Sequence, residues 1–324
     1  LLGIGAGEKF VASDIPAFLP YTRDVVFLED GEKVRITPHS WEVFSLDTLK
    51  PVHKTPQRIE WDLQAAQKGG FKHFMLKEIF EQPRALADCM AGRVDQARLE
   101  VSVQELNNMP APERLRIVAC GTSYHAGLWA LPLFEEWAGI PAAVEIASEF
   151  RYRNPLLLEN EMVLVISQSG ETADTLAALR IAREKGCRVM GLCNVVGSSI
   201  AREADAVIYT QAGPEISVAS TKALSSQMTV LMLMAIHWGG QTKKLSQETR
   251  HLALKNLLSL PSQMESILPS LQAEAKQLAH KYAPFRGMFF LGRGQSFPLA
   301  MEGALKVKEL AYIHAEGYAS GEMK

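Results

Sequence analysis

Apolar residues fall into two regimes along this chain. Beyond residue 71, short runs rich in Val, Ile and Leu alternate with longer amphipathic stretches. The clearest runs lie at 116–119, 162–166 and 188–192, with weaker ones at 144–147 and 206–209. Each clear run leads into a loop of small residues and then a helical stretch. Buried strands alternating with helices predict a parallel sheet covered on both faces. Ligands of such sheets bind beyond the carboxyl ends of the strands. A helical region follows at 246–282, then a strand at 288–291 and a last helix at 297–313. Residues 1–50 read differently. Runs at 25–28 and 33–37, joined through Asp30 and Gly31, predict a hairpin, and Ser13, Asp14 and Pro16 predict a helical turn before it. Residues 51–70, with Pro51, Pro56 and the pair Gly69 and Gly70, read as a linker.

The pattern contains a repeat. IVACGTSYHAG (117–127) aligns with FFLGRGQSFPL (289–299), each placing a Gly-x-Ser-aromatic step after an apolar strand, at Gly121, Ser123, Tyr124 and again at Gly294, Ser296, Phe297. Strand, loop and helix recur in the same order, which predicts a duplicated α/β unit. The first copy runs more than a hundred residues past its loop and the second only thirty. The sequence therefore reads as an internal piece of a longer chain, cut at both ends.

Composition narrows the class. The chain has 324 residues, 47% hydrophobic and 22% charged, which is globular rather than disordered. Lys plus Arg total 34 and Asp plus Glu 36. This near-neutral balance gives no electrostatic reason to expect nucleic acid or an anionic membrane as partner. The richest apolar stretch, 228–238, is interrupted by Thr229 and His237 and reads as a buried helix rather than a span. The start, LLGIGAGEKF, has no basic segment or cleavage site of a secretory leader. Cys89, Cys120, Cys187 and Cys193 form no C-x-x-C pair and no ligand spacing with the eight histidines, so a reducing cytoplasm is the expected compartment.

Three strand-ending loops carry the candidate chemistry: CGTSYH (120–125), SQSGET (167–172) and EISVASTKA (215–223). They hold Thr122, Ser123, Ser167, Ser169, Thr172, Ser220 and Thr221. Hydroxyls and the unpaired N–H groups at following helix starts bind phosphate oxygens, and Gly121 and Gly170 admit close backbone approach. Ser and Thr at helix starts are more often simple caps. For SQSGET that explanation falls short, because two serines, a glycine and a threonine exceed what one cap needs. On the last helix, Glu302, Lys306 and Glu309 share one face by their i, i+4, i+7 spacing. They form either a solvated ion-pair stripe or a site in which a carboxylate moves a proton between adjacent sugar carbons. GIGAGE (3–8) and GRGQSF (292–297) match no nucleotide-binding pattern. Cys120, His125, His314 and the Met-rich helix at 228–234 read as structural.

The segments GEKFVASD, KEIFEQP, ACGTSYHAG, EIASEFRYR, SQSGETADTL, CNVVGSS, SVASTKA and FFLGRGQSFPLAMEGALKVKELAYIHAEGYASGE, in this order, resemble the glutamine:fructose-6-phosphate aminotransferase (isomerizing) family, the glucosamine-6-phosphate synthases. SQSGETADTL alone marks a sugar-isomerase (SIS) domain; the other blocks narrow it to this family. The resemblance implies an α/β fold with an SIS-type, Rossmann-like parallel sheet flanked by helices, preceded by a β-rich remnant of an N-terminal-nucleophile glutaminase domain. It implies a layout of glutaminase end (1–50), linker (51–70), first SIS domain (71–245), and connecting helices with the start of a second SIS domain (246–324).

By resemblance, Ser167, Gln168, Ser169 and Thr172 cradle the phosphate, and Thr122, Ser123, Val218 and Ser220 contact the sugar phosphate. Glu309 is the base that moves the C1–C2 proton, Lys306 neighbours the reacting end, and Glu302 supports it from behind. No metal or organic cofactor is expected. The implied partners are fructose 6-phosphate, glucosamine 6-phosphate and, through the upstream part of the glutaminase domain, glutamine; a homodimer is implied. The family's N-terminal Cys nucleophile, a ring-opening His and a Schiff-base Lys fall outside the 324 residues, so this polypeptide alone is expected to make no glucosamine 6-phosphate from fructose 6-phosphate and ammonia. The alternative is a sugar-phosphate-binding SIS module without catalysis; a related SIS deaminase or isomerase fits less well because those lack the N-terminal β segment.

Overall fold

Every residue of the strand Glu161–Ser167 is buried, which is the signature of a strand covered on both faces. It lies at the centre of the main sheet in a computed structural model that describes residues 1–12, 15–59, 68–106 and 109–323. The chain divides into two compact units, Leu1–Phe74 and Met75–Lys324.

The first unit is antiparallel. Strands β1 (Leu2–Ile4), β2 (Lys9–Val11), β3 (Asp24–Val26) and β7 (Gln57–Arg58) form one sheet in the order β2-β1-β3-β7, and β4 (Glu32–Ile36), β5 (Trp41–Ser45) and β6 (Pro51–Val52) form another. Ile15, Phe18, Leu19 and Val25 make one buried cluster; Leu2, Val26 and Val43 make another. The expected hairpin through Asp30 and Gly31 is not what forms. β3 pairs with β1 and β7, and β4 pairs instead with β5. Gly31, at φ +80°, still makes a turn, with the Glu32 N–H donating to the Glu29 carbonyl at 3.1 Å. That turn hands the chain from one sheet to the next because both edges of β3 are already taken. The tight connection lies one strand later, where the Thr37 N–H donates to the Ser40 carbonyl at 2.9 Å. A 3₁₀ turn spans Ile15–Ala17; Ser13 and Asp14 of the predicted helical turn lie outside the described residues, as does the 60–67 part of the predicted linker. Residues 51–59, expected as linker, instead supply β6 and β7, because the open edges of β5 and β3 take them up as strands.

The second unit opens with α1 (Phe74–Met90) and a small hairpin of β8 (Val94–Asp95) and β9 (Glu100–Val101). Five parallel strands follow: β10 (Arg114–Ala119), β11 (Ala142–Ile146), β12 (Glu161–Ser167), β13 (Arg188–Cys193) and β14 (Ala206–Tyr209), in the order β11-β10-β12-β13-β14. All five predicted runs are strands, each within two residues of its expected bounds. Helices α2 (Gly121–Leu133), α3 (Ala147–Tyr152), α4 (Ala173–Glu184), α5 (Ser199–Glu203) and α6 (Lys222–Gln241) complete the layers. The side chains alternate between two cores. Ile117, Leu164, Ile166 and Leu192 face α2 and α6, and Val118, Val163, Val165 and Val189 face α3 and α4. The Met-rich stretch of α6 is buried in the first core, as its pattern predicted. Leu164 is fully buried in the central strand, so Leu164→Ala is expected to cost about 2–5 kcal/mol, read as a lowered urea midpoint; a loss below about 1 kcal/mol would show that this core is loosely packed.

The repeat is visible in the backbone. After α7 (Gln247–Tyr282) come β15 (Gly287–Gly292), α8 (Ser296–Ala311) and β16 (His314–Ala319). Moving β10 along the chain by the 173-residue interval from Gly121 to Gly294 lands on β15. The pairing is carried over too: Leu115 opposite Ala142 becomes Met288 opposite Ala315. Gly121 and Gly294 both have positive φ, +53° and +55°. Among the described residues no helix is long and apolar enough to cross a membrane.

Candidate functional site

At the carboxyl edge of the parallel sheet, the strand-ending hydroxyls are not used as helix caps. Cys120, Thr172 and Thr221 occupy the N-cap positions of α2, α4 and α6, and none makes a side-chain cap bond to the described residues. By contrast, Ser246 caps α7 conventionally by accepting from the Thr249 N–H at 3.1 Å. The cap explanation for these loops therefore fails, and their hydroxyls are spent on each other and on loop shape.

In the SQSGET loop, the Ser167 and Thr172 hydroxyls lie 2.9 Å apart, and Ser167 Oγ accepts from the Gly170 N–H at 3.0 Å. Ser169 Oγ accepts from the Glu171 N–H at 3.2 Å. Gly170 has φ +66°, and a Cβ there would fall 2.0 Å from Ser198 Oγ. Only glycine fits both the backbone conformation and the space. Gln168 and Ser169 are half-buried. The loop is tied to its neighbours by Asn194: its N–H donates to the Gln168 carbonyl at 3.1 Å, and its side-chain oxygen accepts from Thr210 Oγ1 and the Ala212 N–H, both at 2.9 Å.

The loop after β14 is built on carboxylates. Glu215 accepts from Ser220 Oγ at 2.9 Å, from the Thr221 N–H at 2.7 Å and from the Ala223 N–H at 3.2 Å. Burial pushes the Glu215 carboxyl up, those hydrogen bonds pull it down, and the neighbouring Glu78 charge adds to the upward push, so the net shift is upward. Val218 stands 95% exposed at the loop's tip.

The Glu302–Lys306–Glu309 stripe is more than a solvated ion-pair row. Lys306 Nζ sits 3.3 Å from Glu302 and 2.7 Å from Glu309, on the face of α8 turned to α2. Glu302 is only 5% exposed. It accepts from Thr122 Oγ1 at 2.8 Å and lies 2.7 Å from His125 Nδ1, while Lys306 donates to Thr122 Oγ1 at 3.1 Å. The second repeat's helix is thus fastened to the first repeat's CGTSYH loop through Thr122, leaving Glu309 as the outermost and most accessible member. Burial raises the Glu302 carboxyl, but the His125 hydrogen bond, the Lys306 charge and Thr122 outweigh it and hold it below the ordinary range. A carboxylate depressed in the folded state stabilises at pH above its unfolded value, and that contribution is lost as the pH falls through its folded value. The stability gap between the native chain and Glu302→Gln is therefore expected to be widest near neutrality and to close below about pH 4. Urea unfolding at stepped pH measures it.

Ser123, grouped by resemblance with the sugar-phosphate contacts, is engaged by α6. It is buried and accepts from Gln227 Nε2 of α6 at 3.0 Å. His125, read as structural, is the partner of Glu302; its position three residues after Thr122, one turn along α2, was the available signal. Asn194 lies inside the matched segment CNVVGSS and Glu215 at the head of the EISVASTKA loop, but nothing in their spacing marked them. His314 pairs with Glu316 at 2.8 Å on its own strand. A cleft of about 560 Å³ opens on the other flank of α8, lined by Gly121, Tyr124, His125, Leu305, Lys308 and Glu316; it is lined by neither the SQSGET hydroxyls nor Glu309. Among the described residues no group of three His, Cys, Asp or Glu is arranged to hold a metal ion.

Residues 110–237 match the SIS domain model. Glutamine–fructose-6-phosphate aminotransferases from Methanosarcina acetivorans and Chlorobaculum tepidum are 46% and 48% identical over 328 residues, covering the whole of this chain and 53% of each relative. The chain thus spans about half the length of these curated relatives. The solved C-terminal domain of glucosamine-fructose-6-phosphate aminotransferase from Francisella tularensis is 40% identical, with a TM-score of 0.75 over 79% of this chain and 72% of that one. With the parallel sheet, its hydroxyl loops and the repeated strand–loop–helix unit all in place, this chain belongs to the glutamine–fructose-6-phosphate aminotransferase (isomerizing) family.

Proposed function

We propose that this chain carries the sugar-phosphate half of an enzyme that converts fructose 6-phosphate and glutamine to glucosamine 6-phosphate. The observation that supports it most is the fastening of α8 to the CGTSYH loop, which leaves an accessible carboxylate, Glu309, beside a lysine at the ligand-binding edge of the sheet. Ser167, Gln168, Ser169, Thr172 and Ser220 hold the phosphate and sugar. Ammonia from glutamine adds at C2 of the open-chain ketose with loss of water. Glu309 then takes the C1 proton and returns it to C2, giving the aldose. Lys306 orients Glu309 through the 2.7 Å ion pair, and Glu302 holds Lys306 against Thr122. Residues 1–59, the expected 1–50 together with strands β6 and β7, are the end of a glutaminase-type domain, 71–245 the first SIS domain and 246–324 the start of the second. The protein works in the cytoplasm as a homodimer.

The test is product formation by a polypeptide that carries this chain at the length of its relatives. Glucosamine 6-phosphate detected by mass spectrometry from fructose 6-phosphate and glutamine is expected, and its absence from folded protein would sink the reading. The binding-only alternative predicts sugar-phosphate affinity with no proton exchange at C1. Binding alone has no use for the Glu309–Lys306 pair.

A further inference from the structure

The motif KEIFEQP lies on α1, and no step above uses it. Two of its three charged residues are buried, and the third, Glu81, is half-buried. Lys77 is 7% exposed and Glu78 2%, and Lys222, at the start of α6, is 3%. Glu78 Oε1 accepts from the Ile216 N–H at 2.6 Å and the Ser217 N–H at 3.1 Å. Its Oε2 is buried and accepts from none of the described residues. One turn on, Glu81 lies 2.7 Å from Lys222 and 3.3 Å from Lys77. The α1 carboxylates therefore hold the 215–221 loop at two points, its leading backbone and the lysine that follows it. Glu215 shapes the same loop from within through Ser220 and Thr221. A helix serving only to cover the sheet would be as stable, or more so, with apolar residues here, because buried charges cost desolvation energy that well-packed side chains do not. What the charges supply instead is a defined geometry for backbone N–H groups.

We infer that Glu78 is a positioning residue, which through the N–H groups of Ile216 and Ser217 sets the loop bearing Val218 and Ser220 in the shape that receives the sugar phosphate. The inference rests on the function proposed above. The test uses the full-length polypeptide with Glu78→Ala, Glu78→Gln, Ser220→Ala and the Glu78→Ala/Ser220→Ala double variant. Glu78→Ala is expected to raise KM for fructose 6-phosphate about tenfold or more, with kcat within about threefold. Glu78→Gln restores most of the affinity, because the amide oxygen accepts the same two N–H groups. The double variant is expected to lose little beyond Glu78→Ala, since both act through one loop. A native KM in folded Glu78→Ala, or fully additive losses, overturns the inference and leaves the functional reading standing. Native protein that binds no fructose 6-phosphate overturns the reading and the inference with it. If Glu78→Ala does not fold, hydrogen exchange on Glu78→Met, which fills the same space but accepts neither N–H group, decides. Faster exchange confined to 214–223 supports the inference, and native protection there overturns it.

Discussion

Glu309→Gln is expected to lower turnover of fructose 6-phosphate by about 10²–10⁴-fold while leaving affinity for the sugar phosphate within about threefold. The asymmetry follows from where the side chain sits. Glu309 is the outermost residue of the α8 stripe, and among the described residues its one ion pair is to Lys306 at 2.7 Å. Glutamine keeps the size and the oxygen acceptor of the carboxylate, so the Thr122–Glu302–His125 cluster behind it stays intact. What it loses is the capacity to take a proton from C1. A general base contributes to the transition state and little to the ground state, so kcat falls and KM holds. Steady-state kinetics with calorimetric titration of fructose 6-phosphate separate the two. Unchanged turnover would remove Glu309 from the mechanism. Equal losses of turnover and affinity would make it a binding residue and shift the weight of evidence toward the binding-module alternative.

Gly170→Ala is expected to cost about 2–5 kcal/mol of stability and at least tenfold in sugar-phosphate affinity. Two penalties combine. The φ of +66° is unfavourable for an L side chain, and the new Cβ would lie 2.0 Å from Ser198 Oγ and 2.5 Å from Ser198 Cβ. Ser198 is 1% exposed and has little room to withdraw. The loop must therefore shift, which breaks the 3.0 Å bond from the Gly170 N–H to Ser167 Oγ and the Ser167–Thr172 pair beside it. Ser198→Gly in the same chain removes the overlap but not the strained φ, so it is expected to recover part of the loss. Thermal unfolding and titration with fructose 6-phosphate check both parts. Native stability in Gly170→Ala would show that the loop has a second conformation of equal energy.

The difference between legible and illegible features runs through particular residues. Periodicity marked β10, β12 and β13 because a strand buried on both faces has to be apolar throughout, and no other arrangement of this sheet tolerates Met162–Ile166 unbroken. The repeat was legible for a related reason: strand, positive-φ glycine and helix start each impose a residue type, and together they fix a spacing. The three-residue face of Glu302, Lys306 and Glu309 follows from helical geometry alone. Pairing partners were not legible in the first unit. The Asp30–Gly31 turn looks the same whether it closes a hairpin or passes the chain between sheets, and the competition of β1 and β7 for the edges of β3 is a tertiary matter.

By itself, then, the order of residues determined the α/β class, the sheet's strands, the location of the hydroxyl loops, and the family. Those are local consequences of burial, turn chemistry and helix starts. Only the tertiary structure decided that Ser123 faces Gln227, that His125 and Thr122 hold Glu302, and that Glu78 reaches a loop 138 residues further on. A hydrogen bond forms when folding brings its two groups to within about 3 Å, whatever their separation along the chain. No periodicity records that encounter, so a buried carboxylate meeting two backbone N–H groups is visible only once the helix and the loop are packed together.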